Sequence, residues 1–486
     1  MNKPLRRASI FSLLLVLALL VWATYVQLAR GDSLRDNTHN SRVAISQYAG
    51  PLGDILVGGK PVTGSAATDG NLKYKRTYTD GKLWAPITGY ASQSYGSTQL
   101  EALDRQVLDG SDSRLKNPLE AVTRERSKPG DVITTINPAV QKAAYEGLGN
   151  KTGAAVALDP TTGAVLGLAS TPSYDPGSFA GSSTKDQKAW LALQKDKKQP
   201  MLNRALRQTY PPGSTFKVLV AAAALENGLY SSVDEPTKSP DPYRLPGTVT
   251  DMHNENRSAP CKNATIRTAL EYSCNTVFAK MAVDLGQSKV AAQAEKLGFD
   301  DSKLDIPVRA AKSIYPSGMD DSQTALSGMG QFDVTATPLQ MAMVTSAIAN
   351  DGKLMTPYEV DRTTDGTASA LDRSQAKTYS EAMSKHTASE LQSAMRTVVD
   401  QGTGTNAKIP GVTVGGKTGT AQHGENNSAN PYAWFISYAD AGNGHKVAVA
   451  VVVEDSDAAR ADISGGGLAG PIAKSMMKAA LADTGS

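Results

Sequence analysis

Strands at both ends of a helical middle segment predict an α+β fold with a mostly antiparallel sheet for residues 131–486. Two apolar runs flank a DPTTG turn between Gly153 and Ser170, which is typical of a β-hairpin. Three further apolar stretches near the C-terminus indicate strands, at Gly411–Gln422, Tyr432–Asp440 and His445–Asp455. Because strands come from both ends of the segment, early and late strands are expected to pair and close one sheet.

The helices between these strands have recognisable ends. Asn137 can cap a helix with Pro138 in its first turn, and Thr337 and Pro338 begin a second helix in the same way. The stretch from Gly213 to Gly228, GSTFKVLVAAAALENG, is apolar at almost every position after its first turn. A helix that is apolar on all sides is a buried one, so we expect this helix in the centre of the domain.

An apolar run from Ile10 to about Leu28 predicts a transmembrane anchor within residues 1–30. Its length is close to the roughly 20 residues that span a bilayer. Lys3, Arg6 and Arg7 precede it, so the start of the chain is expected in the cytoplasm and the rest outside the cell membrane. The alternative is a cleaved signal peptide, which has a shorter apolar region and a cleavage site between small residues.

Residues 31–130 are predicted to form an extended, loop-rich module. Turn signals such as AGPLGD, VGGKP and DGSD are dense, and the apolar stretches between them are short. The polar and charged stretch from Ser111 to Asp131 indicates a linker to the domain that follows. The predicted organisation is therefore an anchor at 1–30, a module at 31–130 and a larger α+β domain at 131–486.

Composition excludes some functions. The net charge is +3 for 486 residues, without an arginine-rich stripe, so no nucleic acid is expected as a partner. The five histidines are scattered without metal-ligand spacing, and neither a metal nor another cofactor is expected. Cys261 and Cys274 are compatible with a disulfide outside the cytoplasm, or with two buried thiols.

Ser214 and Lys217 lie three residues apart at the start of the buried helix, and therefore on one face of it. Free backbone N–H groups and the positive end of the helix dipole at this N-terminus suit a developing oxyanion. A serine hydroxyl is a weak nucleophile that needs a neighbouring base. The apolar neighbours Phe216 and Val218 disfavour the ammonium form of Lys217, which lowers its pKa from about 10.4 and lets it take the proton of Ser214.

The Ser-x-x-Lys pattern is not specific by itself. A first-turn lysine can extend to water and have no chemical role. The same pattern also occurs in polar stretches or late in the last helix, at Ser113/Lys116, Ser182/Lys185, Ser374/Lys377 and Ser475/Lys478.

Two further patterns make the interpretation of Ser214 and Lys217 as a reactive pair specific. Ser273-Cys274-Asn275 falls in an apolar stretch that reads as a helix, and Lys417-Thr418-Gly419-Thr420 falls in the strand VTVGGKTGTA. Copies of both patterns elsewhere in the chain lie in polar turns. The order of the three patterns, at a helix start, in a helix and in a strand, is the informative observation.

This ordered set resembles the signatures of the penicillin-binding proteins and serine β-lactamases. Within these families the chain looks like a monofunctional class B penicillin-binding protein and is similar to the actinobacterial type called penicillin-binding protein A. The stretches Arg76–Glu101, Ser327–Gly352 and Asp400–Gln422 extend the resemblance over nearly the whole chain. It implies a transpeptidase domain with about five antiparallel strands, helices on both sides and a helical subdomain, after a single transmembrane helix and an elongated module.

The resemblance also implies the reaction. Ser214 attacks the carbonyl between the last two D-alanines of a peptidoglycan stem peptide, and Lys217 is its base. Ser273 passes a proton to the leaving D-alanine, and Asn275 holds Lys217 and the substrate amide. An amine from a neighbouring strand then takes the acyl group, and β-lactams acylate the same serine.

The strand motif has a binding role by the same resemblance. Lys417 supplies positive charge beside Ser273, and Thr418 and Thr420 bind the terminal carboxylate of the substrate. Gly416 and Gly419 let the substrate backbone lie close to the strand. The N–H groups of Ser214 and Thr420 are expected to form the oxyanion hole.

Four alternatives remain beside the transpeptidase. A D,D-carboxypeptidase or β-lactamase would use water as acceptor, and no residue that activates such a water is evident. A β-lactam sensor would need an output domain before the anchor, where fewer than ten residues stand. A catalytically inactive scaffold is disfavoured because every motif position is filled. The chain length leaves no room for a sugar-polymerising domain, so a membrane glycosyltransferase is expected as partner.

Overall fold

The computed structural model describes residues 3–30, 45–115, 127–424 and 428–482. Residues 116–126 of the predicted linker and 31–44 of the predicted module lie outside the described residues. The α-helices are Lys3–Ala29, Gly81–Thr88, Gln99–Leu103, Arg105–Leu108, Pro138–Leu148, Thr184–Lys195, Arg204–Arg207, Lys217–Glu226, Ile266–Glu271, Asn275–Leu285, Gln287–Lys296, Asp321–Ser327, Pro338–Ala349, Lys385–Asp400 and Gly470–Ala482. The strands are Ile55–Val57, Lys60–Pro61, Thr63–Ala67, Tyr74–Tyr78, Ala91–Ser92, Gly96–Ser97, Val132–Thr134, Thr152–Leu158, Val165–Thr171, Tyr243–Arg244, Asp251–Met252, Lys353–Met355, Val360–Thr364, Ala370–Arg373, Thr378–Glu381, Thr413–Ala421, Tyr432–Asp440 and Lys446–Asp455.

Five antiparallel strands form the central sheet of the larger domain. Their order across the sheet is 413–421, 432–440, 446–455, 152–158 and 165–171. The late strand 446–455 pairs with the early strand 152–158 and so joins the two ends of the domain. The predicted α+β fold, its five antiparallel strands and the closure of the sheet by both ends of the segment are confirmed.

Each face of the central sheet is covered by its own apolar core. Along the strand Tyr432–Asp440, Trp434 and Ile436 face one core, whereas Ala433 and Phe435 face the other, as the period of two in a strand requires. On the second side lie Pro138–Leu148 and Gly470–Ala482. The first side holds the buried helices of the middle segment.

The predicted caps and the buried middle helices are confirmed. Asn137 Oδ1 accepts the backbone N–H groups of Ala139 and Val140, which begins the helix at Pro138. The Thr337 side chain accepts the N–H of Gln340, and all residues of the helix Pro338–Ala349 are buried. A helix without a polar face cannot be stable on the surface, so this one occupies the centre of the domain.

A second, mixed five-stranded sheet joins the N-terminal module to the larger domain. Its strand order is 370–373, 360–364, 132–134, 55–57 and 60–61. Strand 132–134 pairs in parallel with 55–57 and antiparallel with 360–364. We call this sheet, together with the adjacent Asp104 and Glu359, the junction. The boundary predicted at residue 130 therefore lies just before a strand that both parts share.

The helix Lys3–Ala29 is long and apolar enough to cross a membrane. None of its residues is buried against the rest of the protein. Trp22 and Tyr25, whose ring centroids are 5.6 Å apart, lie near its C-terminal end. The apolar N-terminal helix that the sequence predicts is thus present, and its length and composition fit an anchor or a signal segment.

Candidate active site

Ser214 lies in a turn that is fixed against the central sheet. The indole Nε1 of Trp434 donates a 3.0 Å hydrogen bond to the Pro211 carbonyl oxygen just before the turn. Gly213 has φ +54°, a conformation that a glycine adopts without steric cost. A 3₁₀ turn, Gly213–Phe216, precedes the α-helix Lys217–Glu226, so the predicted helix begins with a tighter first turn.

An open cleft of about 430 Å³ lies in front of Ser214. Only 8% of the serine is exposed, and that part faces the cleft. The lining residues come from the predicted motif stretches and from two other segments: Ser214, Glu255, Asn275, Leu326, Met329, Gln331, Phe332, Thr420 and Gln422.

Lys217 is fully buried behind this cleft. Its Nζ donates hydrogen bonds of 2.7 Å to the Ser273 carbonyl oxygen and 2.7 Å to Asn275 Oδ1. The Ser273 Oγ lies at 3.3 Å from the same nitrogen. Within the described residues no hydrogen bond joins Lys217 to Ser214, and the proton transfer between them stays a prediction.

The pKa of Lys217 lies well below its usual value. Burial is the main cause, because a charged ammonium loses its hydration there. The charge of Lys417 lowers the pKa further, whereas Glu255 opposes the shift. An amine whose ammonium form is disfavoured in this way can accept a proton more readily at moderate pH from a neutral starting form, which is the property that a base for Ser214 needs.

Ser273 and Asn275 occupy a break between two helices. The stretch that we predicted to be helical ends at Glu271 and resumes at Asn275. Ser273 has φ +59°, a left-handed conformation that interrupts the helix and turns its carbonyl and hydroxyl oxygens toward Lys217. An uninterrupted helix at this point was a wrong expectation.

A disulfide between Cys261 and Cys274 supports this break. The two Cα atoms are 5.6 Å apart, and both residues are fully buried. Cys274 is the residue between Ser273 and Asn275 and stands directly before the helix Asn275–Leu285. Of the two alternatives that the sequence left open, the structure contains the disulfide.

Lys417 approaches the same serine from the central sheet. It is fully buried, and its Nζ donates hydrogen bonds of 3.0 Å to Ser273 Oγ and 2.9 Å to the Thr418 carbonyl oxygen. Burial lowers its pKa to about 7, with an opposing contribution from Glu255. The Ser273 hydroxyl thus lies between two amines whose ammonium forms are both disfavoured.

The other residues of the strand motif lie beside the cleft. Thr420 lines it together with Ser214, and Thr418 Oγ1 is 2.8 Å from Thr403 Oγ1. A Cβ on Gly419 would be 2.9 Å from Thr215 Cγ2 and 3.1 Å from the Pro212 carbonyl oxygen. Glycine is therefore required for the strand to pack against the serine turn, and its predicted role toward the substrate backbone stays a prediction.

Two residues of the site were missed in the sequence analysis. Asn254 is buried, and its Oδ1 accepts the backbone N–H groups of Asn275 at 2.6 Å and Thr276 at 3.1 Å. The next residue, Glu255, lines the cleft. Neither lies in a recognisable motif, and about twenty residues separate them from Asn275 along the chain.

The structure thus brings all three predicted motifs to one cleft. Among the residues that the structure describes, no group of three or more His, Cys, Asp or Glu side chains is placed to hold a metal ion. A larger cavity of about 720 Å³ lies at the junction, lined by residues such as Asp104, Ile306 and Arg362, away from Ser214.

Comparison with known protein families identifies the family of this chain. The family described as "Penicillin binding protein transpeptidase domain" matches residues 153–478, which is more than half of the chain. The chain belongs to this family. A second family, described as "Penicillin binding protein A dimerisation domain", matches residues 52–132.

Relatives of this penicillin-binding protein match it over its full length. The peptidoglycan D,D-transpeptidase PbpA of Mycolicibacterium smegmatis is 37% identical, over 99% of both chains. Two solved structures of penicillin-binding protein A from M. tuberculosis are 35% identical to it. The acyl-enzyme complex with ceftriaxone covers 90% of this chain and 100% of that one with a TM-score of 0.84. The penicillin G acyl-enzyme complex covers 88% and 99% with a TM-score of 0.81.

The present chain is therefore a homologue of the PbpA transpeptidases, with a serine-type transpeptidase domain after a dimerisation-type module. The predicted family, fold class and enzyme type are confirmed.

Proposed function

We propose that this penicillin-binding protein cross-links peptidoglycan stem peptides through an acyl-enzyme on Ser214. The observation that supports the proposal most directly is the buried Lys217 amine. It is held by Asn275 and Ser273 behind the cleft that Ser214 lines, and its pKa is lowered by burial. An amine whose ammonium form is disfavoured is suited to act as the base that a serine nucleophile needs.

In the acylation step, Ser214 Oγ bonds to the carbonyl carbon between the two terminal D-alanines. Its proton passes to Lys217 Nζ, and the carbon–nitrogen bond to the last D-alanine breaks. Ser273 Oγ, which contacts both Lys217 and Lys417, returns a proton to the leaving amine. The N–H groups of Ser214 and Thr420 stabilise the oxyanion, a contribution of about 3 kcal/mol in other enzymes.

The donor peptide is held by its terminal carboxylate. Thr418, Thr420 and Lys417 lie on one strand at the edge of the central sheet and offer two hydroxyl groups and an amine. A β-lactam has a carboxylate and a strained amide in a similar arrangement, so it enters the same site and acylates Ser214. The ceftriaxone and penicillin G acyl-enzymes of the M. tuberculosis protein support this reading.

In the second step, an amine of a neighbouring strand attacks the ester on Ser214. The acceptor ammonium first loses one proton to become a free amine. The amine loses a second proton during its attack, and this second proton passes through Lys217 to Ser214 Oγ. A new amide forms and the carbon–oxygen bond to Ser214 breaks. If water attacks instead, the products are those of a carboxypeptidase or β-lactamase, and fast turnover of penicillin would identify that alternative.

The decisive experiment locates the covalent adduct. We expect mass spectrometry of the protein after treatment with penicillin to find one adduct, on the peptide that contains Ser214. The Ser214→Ala variant should lose all labelling by a fluorescent penicillin, because its side chain has no nucleophile. The control variant Ser113→Ala changes the serine of another Ser-x-x-Lys pattern and leaves Ser214 and Lys217 intact. It should therefore be labelled normally. Unchanged labelling of Ser214→Ala would contradict the proposal and favour another nucleophile.

We also propose that the helix Lys3–Ala29 is an uncleaved anchor with its N-terminus in the cytoplasm and the catalytic domain outside. Its apolar length and the preceding Lys3, Arg6 and Arg7 support this orientation. A membrane glycosyltransferase that makes the glycan strands is the expected partner. Protease accessibility in intact cells tests the orientation, and co-purification from membranes that recovers no glycosyltransferase would contradict the partner.

A further inference from the structure

The cleft in front of Ser214 has one acidic side chain in its described lining, that of Glu255. The other lining residues are neutral, and Lys217 and Lys417 lie buried behind the surface. Glu255 is exposed, and its carboxylate has no hydrogen-bond or ion-pair partner among the described residues. A free carboxylate in a reaction cleft is available for a ligand.

The backbone around Glu255 is fixed to the catalytic motif. Asn254 is buried, and it accepts two N–H groups at the start of the helix that carries Asn275. Its Nδ2 donates to Asp241 Oδ2 at 2.9 Å and to Thr276 Oγ1 at 3.2 Å. Five hydrogen-bonding contacts of the Asn254 side chain hold this segment, so the backbone of the next residue, Glu255, has a fixed place at the cleft.

The charge of Glu255 does not suit the donor peptide. The donor brings a carboxylate to Thr418, Thr420 and Lys417, and a second carboxylate in the same cleft would repel it. The acceptor is different, because a primary amine is mainly an ammonium ion at neutral pH. It must enter through the open cleft to reach the ester carbon on Ser214.

We propose that Glu255 determines acceptor specificity: its carboxylate binds the ammonium group of the acceptor and disfavours an acceptor with a free carboxylate beside its amine. The inference rests on the proposed transpeptidase function and specifies its second substrate. The preferred acceptor class is then an isolated amine, as on a lysine-type side chain or beside an amidated carboxyl group. Leu326, Met329 and Phe332 supply apolar surface in the same cleft for the carbon chain of such an acceptor.

The test measures how the acyl-enzyme is partitioned between acceptors. The full-length protein in detergent is given an N-acyl-D-alanyl thioester as donor, with D-alaninamide or D-alanine as acceptor. These acceptors differ in one group, a neutral amide or a carboxylate. The measured quantity is the ratio of aminolysis product to hydrolysis product. Hydrolysis serves as the reference because water, the competing acceptor, carries no charge. Comparing each variant with the wild type removes the difference in intrinsic reactivity between the two amines.

We expect Glu255→Gln to lower the ratio for D-alaninamide about fivefold, since one partly screened charge contact is lost. The ratio for D-alanine should fall much less or rise. Glu255→Asp, which keeps the charge, should recover most of the preference, and Glu255→Lys should reverse it. Added salt should weaken the preference in the wild type and have little effect in Glu255→Gln.

The matched control is Glu295→Gln, an exposed glutamate on the helix Gln287–Lys296 outside the cleft, which should keep both ratios. Ratios in Glu255→Gln that stay within twofold of the wild type would overturn the assignment of Glu255 while donor turnover still supported the transpeptidase. A wild-type protein that does not turn over the donor, or whose penicillin adduct is not on Ser214, would overturn both proposals.

Discussion

The active site and the junction both bury ionisable side chains, but they differ in the hydrogen bonds that these side chains make. At the active site, Lys217 and Lys417 are fully buried, and each amine donates at least two hydrogen bonds. At the junction, both carboxylate oxygens of Glu359 and one of Asp104 are buried without a hydrogen-bond partner among the described residues. The two active-site amines are thus held in a fixed geometry by hydrogen bonds, whereas the buried Glu359 carboxyl has no such partner among the described residues.

In both regions the pKa shifts favour the neutral form of the buried group. The two regions nevertheless change the pH dependence of the folded state's stability in opposite directions. Burial raises the pKa of Asp104 to about 6 and that of Glu359 well above its usual value, with Asp104 adding repulsion to Glu359. For these carboxyls the folded state holds protons more tightly, so stability is lost as pH rises through the folded pKa. For the two lysines the unfolded state holds protons more tightly, so stability rises with pH up to about 10.4.

The largest expected effect tests the catalytic half of this comparison. Lys217→Arg keeps a long basic side chain at this position. The guanidinium group stays protonated, however, so the arginine cannot act as a base. We expect the second-order rate of acylation by penicillin to fall about a thousandfold, within the range for general-base catalysis. Stopped-flow or gel-based labelling with a fluorescent penicillin measures the rate. The exposed Lys142→Arg is the control, and a loss below tenfold would show that Lys217 is not the base.

A medium effect tests the junction. Glu359→Gln replaces a buried carboxyl by a neutral group of the same shape. We expect the free energy of unfolding at pH 7 to rise by about 2 kcal/mol, because the wild type must hold this carboxyl neutral far above its unfolded pKa. The gain should shrink toward pH 4, where the carboxyl is protonated in both states.

Thermal and denaturant unfolding at both pH values measure the effect of Glu359→Gln. Glu381→Gln, whose side chain is 73% exposed, is the control and should change stability little. A gain of equal size at pH 7 and pH 4, or destabilisation at pH 7, would show that Glu359 is not a buried carboxyl with a raised pKa.

The smallest expected effect concerns the partners of the strand motif. Thr403→Val removes the hydroxyl that lies 2.8 Å from Thr418 Oγ1 and keeps the shape of the side chain. The Thr418 hydroxyl is then less well oriented, and the acylation rate should fall about threefold, as expected for one neutral hydrogen bond. Thr413→Val, exposed at the start of the same strand, is the control. A loss above a hundredfold would assign Thr403 a direct catalytic role.

The parts of the fold with long regular patterns could be predicted from sequence. The strand Tyr432–Asp440 has the bounds that its apolar stretch indicates, and the caps Asn137 and Thr337 begin their helices as expected. The place of Ser214 and Lys217 at the start of a buried helix could be predicted because the helix is apolar on all sides, and their catalytic roles stay a prediction.

The rest depends on contacts between distant segments. The left-handed conformation of Ser273 arises where two helices meet and a disulfide joins Cys274 to a loop, and no local propensity indicates it. Glu255 reaches the cleft through the hydrogen bonds of Asn254, which involve residues about twenty positions away. The junction strands are two to five residues long, too short for a periodic pattern to identify them.

The shared strand at the junction has a practical consequence for dissecting this enzyme. Val132–Thr134 is hydrogen-bonded on one side to Ile55–Val57 and on the other to Val360–Thr364. A truncated protein that starts at residue 131 would leave one row of its backbone N–H and C=O groups open, and such bare edges promote aggregation. Soluble versions for enzymology should therefore begin well before Ile55 and retain the strands of the module, even where only the chemistry at Ser214 is under study.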